Sequence, residues 1–293
     1  MLRWRFLLGT ALIAGMIGLC WLDACAATPG IWLLPLALAA TVLATHELLD
    51  LLAAGGMRPT RWVVYLMNVL LVTSPWMLAS EHLQRFFIPD LLLNIGVPVL
   101  VIFIAEMCRY QKPGGSTANV AAGILALVYV GMLLRLAVSL RLGWGMGALA
   151  SWIIVVKMGD IGAYTVGRLV GRHKMAPAIS PGKTIEGAAG ALLFACLASW
   201  ATFSWLAMPE FRWLVPPESI EGPSPWWGWL AFGLLMGVTG MVGDLAESLL
   251  KRDVGRKDSS DWLPGFGGVL DILDSLLLSA PFACFCWASG LVG

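Results

Sequence analysis

Between residues 243 and 275, carboxylates, lysines and glycines are set among leucines in a way a plain tether would not need. The stretch runs Gly243-Asp244-Leu245-Ala246-Glu247-Ser248-Leu249-Leu250-Lys251-Arg252, then Lys257-Asp258, then Leu263-Pro264-Gly265-Phe266-Gly267-Gly268-Val269-Leu270-Asp271-Ile272-Leu273-Asp274-Ser275. On a helix, Asp244, Ser248 and Lys251 stand at i, i+4 and i+7 and share a face; Asp271 and Asp274, at i and i+3, do the same. The second pair opens an apolar run, where a carboxylate is costly and functional by default. Paired carboxylates beside cations suit Mg²⁺, which takes a few carboxylates and completes its shell with substrate phosphates and water. Metal-clamped phosphoryl or nucleotidyl transfer fits this equipment. The plainer alternative is a set of helix-end charges solvated at an interface.

A second polar stretch lies upstream: Gly159-Asp160-Ile161-Gly162-Ala163-Tyr164, Gly167-Arg168, Gly171-Arg172-His173-Lys174, and Ser180-Pro181-Gly182-Lys183-Thr184-Ile185-Glu186-Gly187. Its small residues let a backbone approach a ligand closely. Ser180 before Pro181 reads as a helix N-cap and first helical residue. Such a terminus offers free N–H groups to an anion, with Lys183 beside it. Taken by itself, this segment is read equally well as an ordinary cation-rich loop.

The elements that must hold these segments are membrane helices. The chain is 59% hydrophobic and 13% charged, where a soluble domain has about 25% charged residues; its mean hydropathy is +0.81. About 20 apolar residues cross a bilayer, and about nine candidate spans occur, near 5–22, 31–54, 62–80, 90–107, 118–134, 144–160, 184–208, 226–250 and 266–292. The expected fold is an all-α polytopic bundle, one membrane domain over 1–293. Its first part, 1–150, holds about five spans and the start of a sixth; residues 151–293 form the portion with the two polar loops. The first span, with Arg3 and Arg5 ahead of it and Cys25-Ala26-Ala27 behind, has the outline of a signal peptide, but it is expected to be retained because further spans follow. Lys and Arg mark cytoplasmic loops. Arg58 and Arg61, Arg109 and Lys112, Arg168 to Lys183, and Lys251 to Lys257 fall on alternate connections, so the N-terminus and both polar loops are expected inside. Arg135 and Arg141 disagree, falling on the opposite side.

A net charge of +1 gives no basic field for nucleic acid. The six cysteines mostly lie in or beside apolar runs at no metal or redox spacing, and read as packing residues. Tryptophans 76, 205, 213, 226, 227 and 229 sit near span ends, as in an interfacial aromatic belt. Gly233 and Gly237 make a small-xxx-small pair, expected to pack within the chain, with a homodimer as the alternative.

The 243–275 stretch resembles the phosphatidate cytidylyltransferase signature, which runs from a Ser-x-apolar-Lys-Arg start through Lys-Asp to Pro-x-His-Gly-Gly and Asp-Arg-x-Asp. Ser248, Lys251, Arg252, Lys257, Asp258, Ser260, Pro264, Gly267, Gly268, Asp271 and Asp274 fall at matching positions. The Asp160/Ala163/Tyr164/Gly167/Arg168 run and the Ser180-Pro181-x-Lys183-Thr184-x-Glu186-Gly187 block resemble the same family. The likeness covers about residues 150–280; upstream it is confined to hydropathy and the Glu47-Leu48-Leu49 patch. Two positions depart: Phe266 stands where the family has His, and Ile272 where it has Arg. The resemblance implies an integral inner-membrane enzyme that joins phosphatidate to the α-phosphorus of CTP and releases pyrophosphate. It implies Asp244, Asp271 and Asp274 around one or two Mg²⁺, with Lys251 also catalytic. Phosphates and substrate would meet Arg252, Lys257, Asp258, Ser248, Gly267 and Gly268 from one segment, and Asp160, Arg168, Ser180, Lys183, Thr184 and Glu186 from the other. Two rivals remain at this stage. A CTP-dependent kinase of a polyprenol or phytol would release CDP instead of pyrophosphate, and a non-catalytic lipid-binding or transport protein would consume no nucleotide.

Overall fold

The structure, a computed structural model, describes residues 2–78, 92–215, 226–262 and 267–292. Among the described residues the regular structure is helical apart from one two-stranded hairpin. In chain order the elements are α1 (Leu2–Ala24), α2 (Leu34–Ala54), α3 (Arg61–Leu78), a π-helical turn Leu92–Gly96 leading into α4 (Val97–Arg109), and α5 (Ser116–Ala126). A second π-helical segment, Leu127–Met132, joins α5 to α6 (Leu133–Val170). Then come β1 (Lys174–Ala176), β2 (Ser180–Thr184), α7 (Ile185–Leu206), a 3-10 turn Pro209–Leu214, α8 (Trp226–Asp253) and α9 (Val269–Ala288).

Among the described residues, five helical stretches are long and apolar enough to cross a membrane: Leu34–Ala54, Ser116–Val170, Ile185–Leu206, Trp226–Asp253 and Val269–Ala288. Leu100, Met107, Leu169, Leu197, Trp200 and Phe285 point outward, a surface that suits lipid and not water. The molecule is an integral membrane bundle. Ser116–Val170 is 55 residues long, about 80 Å at 1.5 Å per residue, against a hydrocarbon core of about 30 Å. It is broken at Gly145, whose φ of 83° and ψ of −173° are non-helical and open to glycine because it has no Cβ. The break leaves two pieces, each about 40 Å long.

Helices α6, α7, α8 and α9 pack in a closed ring, α6 on α7, α7 on α8, α8 on α9 and α9 back on α6. Their core contains Trp152, Val155, Ala195, Phe203, Phe232, Met236, Ala280 and Ala283. A second core joins α2, α3, α5, the π-helical segment and α6, and takes Leu270 and Leu277 from α9. Thus α9 serves both cores. Close helix approach rests on glycine: a Cβ on Gly162 would lie 2.5 Å from the Gly190 carbonyl oxygen. Gly233 and Gly237 pack within the chain, against Cys196 and Ala195 of α7.

The connections gather at two ends. At one end, Glu106 accepts from Thr60 N (3.0 Å), Thr60 Oγ1 (2.9 Å) and Asn119 Nδ2 (3.3 Å), binding the α2–α3 and α4–α5 connections together. The hairpin and the α8–α9 connection lie there too, joined by Arg252 Nε donating to the Ile179 carbonyl (3.2 Å). At the other end, Trp76 donates to the Pro29 carbonyl (3.2 Å), and Asp23 is fully buried, accepting from Gly30 N, Trp32 N and Arg141 Nε (2.6 Å). Arg141 is therefore a buried partner inside α6 and not a loop charge. Arg135 also lies within α6 and donates to Ser74 Oγ (2.9 Å). The two cations that disagreed with the charge pattern are held by the bundle itself. Glu81, Arg85, Glu218 and Glu221, the charges of two further connections, lie outside the described residues.

Candidate active site

The sequence suggested that Asp160 ends a span and that Ser180-Pro181 starts the next helix. The structure corrects both. Helix α6 continues ten residues past Asp160 to Val170. Asp160, Ala163, Tyr164, Gly167 and Arg168 thus follow at i, i+3, i+4, i+7 and i+8, one helical face. Ser180–Thr184 is a strand, paired antiparallel with Lys174–Ala176. Helix α7 begins at Ile185, and its N-cap is Thr184, whose Oγ1 accepts from Gly187 N at 3.1 Å. A side-chain oxygen on an orphan amide defines an N-cap; Pro181, with no N–H to give the ladder, lies one residue into the strand.

That α6 face, the hairpin and the start of α7 enclose a cleft of about 410 Å³ with Met241 and Asp244 of α8. Six expected site residues line it: Asp160, Arg168, Ser180, Lys183, Thr184 and Asp244. The two polar sequence blocks meet across it, Lys183 Nζ pairing with Asp244 Oδ2 at 2.8 Å. Arg168 Nη1 donates to Tyr164 Oη at 2.8 Å on the outer rim. Glu186 does not line the cleft. It accepts from Arg172 N (3.0 Å) and His173 N (3.2 Å) and meets His173 Nδ1 at 2.5 Å, latching the hairpin to α7.

Asp274 lies beside the cleft residues. A Cβ on Gly243 would stand 2.4 Å from the Asp274 carbonyl oxygen, so α8 and α9 touch at this level. Asp244, Lys157, Asp160 and Glu247 are among the charged groups near Asp274. Ser275 Oγ and Lys157 Nζ both donate to Asp160 Oδ2, at 2.8 and 3.1 Å. Ser248 Oγ donates weakly to Asp244 Oδ1 (3.4 Å).

Asp271, expected beside Asp274, belongs to another cluster. Its Oδ1 is paired with Lys251, and its Oδ2 accepts from Gly268 N (2.7 Å), Ser259 N (2.9 Å) and Ser259 Oγ (2.7 Å). Lys251 is buried and also pairs with Glu247. Gly267 and Gly268 abut this cluster: a Cβ on Gly267 would meet Asp271 Oδ2 at 2.4 Å, and one on Gly268 would meet Glu47 Oε2 at 2.2 Å. Lys257 and Asp258 are exposed in the α8–α9 connection. Phe266, the departure from the family's His, lies outside the described residues, as does Pro264.

Three charged residues escaped the sequence reading of the site. Glu47 of α2 is 1% exposed and accepts four hydrogen bonds: from Ser260 Oγ and Val269 N at Oε1, both 2.9 Å, and from Ser259 Oγ (2.9 Å) and Leu270 N (2.8 Å) at Oε2. It therefore caps α9 from the far half of the chain. Glu247 and Lys157 are the others. All three are ionisable residues within apolar runs, the signal that drew attention to Asp271.

Among the described residues, no group of three or more His, Cys, Asp or Glu side chains is gathered to cage a metal. The donors beside the cleft are the carboxylate oxygens of Asp160, Asp244 and Asp274. Such a sparse oxygen set suits Mg²⁺ completed by substrate phosphates and water, and suits no metal that needs nitrogen or sulfur ligands.

Residues 5–289 match the cytidylyltransferase family. The chain belongs to that family. Among the relatives of this cytidylyltransferase-family chain is a phosphatidate cytidylyltransferase of Mycobacterium bovis, 32% identical over 93% of this chain and 86% of the relative. Proteins of the same name from Synechocystis (29% identical, 87% and 88% covered) and Bacillus subtilis (31%, 72% and 74%) are similar as well.

Proposed function

We propose that the protein is a phosphatidate cytidylyltransferase, which converts CTP and phosphatidate to CDP-diacylglycerol and pyrophosphate in the membrane. The carrying observation is the Lys183–Asp244 contact: two sequence blocks some sixty residues apart close on one cleft lined by cations and carboxylates. A phosphate oxygen of phosphatidate attacks the α-phosphorus of CTP, the new P–O bond forms, and the α–β bond breaks with pyrophosphate leaving. The acceptor is already anionic, so positioning and charge neutralisation carry the reaction and no strong general base is required.

Lys183 and Arg168 bind phosphate oxygens from the hairpin and the α6 face. Asp244 and Asp274 would hold Mg²⁺ together with substrate phosphates and water, and the ion when bound would neutralise phosphate charge. Asp271 and Lys251 keep α8 and the first turn of α9 in register behind the cleft. The exposed Tyr164, Ile161 and Leu169 put apolar surface beside the rim, where acyl chains can stay in lipid while the headgroup enters. The kinase rival is disfavoured by the names of the relatives.

We place the end that carries the hairpin in the cytoplasm, with α1, α2, α3, α4, the two pieces of 116–170, α7, α8 and α9 as nine crossings. With Arg141 buried against Asp23, the remaining cations favour that side. The deciding experiment incubates purified protein in detergent with labelled CTP, phosphatidate and Mg²⁺ and follows both products. Labelled CDP-lipid with matching pyrophosphate is expected; CDP release with a phosphorylated alcohol acceptor would overturn the assignment. In the same assay Asp274→Asn is expected to abolish turnover, and Asp271→Asn to act chiefly through stability.

A further inference from the structure

We propose that Lys157 is a positioning residue of the nucleotide site and supplies the positive charge that the family signature carries as arginine at position 272. The inference rests on the cytidylyltransferase reading and adds to it a residue outside both signature blocks. Residue 272 here is isoleucine, an apolar side chain in the first turn of α9. Residues 272 and 275 are i and i+3 and share a helix face, and Ser275 of that face points at Asp160. A basic side chain at 272 would project into the same space.

Lys157 fills it from the neighbouring helix. Its Nζ donates to Asp160 Oδ2 (3.1 Å), the Ile272 carbonyl (2.9 Å) and Ser275 Oγ (2.8 Å). An ammonium has three donors, and all three are used, two of them on the turn that holds residue 272. The side chain is 33% exposed, so it stands beside the open site and not in the core. A lysine within an apolar span is costly unless it has a task. Its task is legible in the pairs around the cleft: Lys157 holds Asp160 of the cleft wall, as Lys183 holds Asp244. Without Lys157, Asp160 on the cleft wall keeps the Ser275 hydroxyl, and the α6–α9 contact loses two of its hydrogen bonds next to Asp274 while the Ser275–Asp160 and Trp152–Ser279 bonds remain.

The test is a four-member set in the full-length protein in detergent: wild type, Lys157→Met, Ile272→Arg and the double variant. Two readouts are taken, the CTP dissociation constant in the presence of Mg²⁺ from thermal shift, and steady-state turnover. Loss of charge-assisted hydrogen bonds is expected to cost Lys157→Met about tenfold or more in kcat and about fivefold or more in CTP affinity, with KM for phosphatidate within about threefold. Adding Ile272→Arg should recover at least about a third of wild-type turnover and CTP affinity, while Ile272→Arg alone, crowding two cations, should improve neither. A merely structural lysine would move thermal stability and leave the CTP dissociation constant of the folded protein unchanged. Lys157→Met within twofold of wild type in both readouts, or a stable double variant no better than the single, would overturn the proposal. If Lys157→Met is too unstable to assay, Ile272→Arg must restore both stability and CTP binding in that background, and failure to do so overturns it equally. A wild type that binds CTP but makes no CDP-lipid sinks the activity assignment alone, since the binding series still decides the role of Lys157.

Discussion

Glu47→Ala should be among the most damaging single changes outside the cleft. The Glu47 carboxylate holds four donors, two of them backbone amides at the start of α9. Ser259 Oγ would keep Asp271 as a partner, and the half-buried Ser260 could turn to water. Val269 N and Leu270 N would be stranded, Leu270 being fully buried. Each orphaned amide costs about 1–3 kcal/mol, so the expected loss is about 2–6 kcal/mol. Glu47→Gln keeps one acceptor but turns an NH₂ toward an N–H, and should lose about half as much. Unfolding in mixed micelles by titrated SDS, followed by tryptophan fluorescence, measures this directly. Tryptic cleavage at the exposed Lys257 gives a local readout, since loosening α9's cap frees that connection. An Ala variant within about 0.5 kcal/mol of wild type, cleaved at the wild-type rate, would refute the assignment of Glu47 as the cap.

Lys183→Met removes the cation that joins the two blocks and should lower kcat/KM for CTP by at least about tenfold with little change in stability, checked by turnover and thermal unfolding together. Arg141→Met strands a buried Asp23 and should cost about 3–5 kcal/mol in SDS unfolding, with part of the loss recovered by adding Asp23→Asn. Gly162→Ala drives a methyl onto the Gly190 carbonyl and should cost about 1–3 kcal/mol by forcing α6 and α7 apart, with turnover falling as the cleft wall moves.

Four of the expected spans were legible because a bilayer demands a long apolar stretch for each crossing: α2, α7, α8 and α9 begin and end close to where apolar composition changes. The α6 face was legible in principle from the spacing of Asp160, Tyr164 and Arg168, but the polar residues masked a helix that outlasts the apolar core. The hairpin departs from the expected helix start because Ser-Pro is a strong local helix-start signal, while the partner strand Lys174–Ala176, ending four residues upstream, has no pattern of its own. Asp271 and Asp274 are neighbours on one helix, yet their partners differ: Lys251 and Ser259 claim the first, and Asp160 and Asp244 neighbour the second. Sequence spacing fixes a face and says nothing of what faces it. The same limit hid Arg141, whose partner is 118 residues away.

The bond from Ser259 to Glu47 spans 212 residues, and that distance is also an interval of time. At about 5–20 residues per second of synthesis, α2 waits roughly 10–40 s for the donors that answer its carboxylate. During that interval the Glu47 carboxylate lacks all four of the donors that hold it in the finished fold. Only when α9 threads into place does its first turn find the charge left for it. A chain released before α9 is made therefore carries in a membrane helix an acid that lacks the four donors the finished protein supplies.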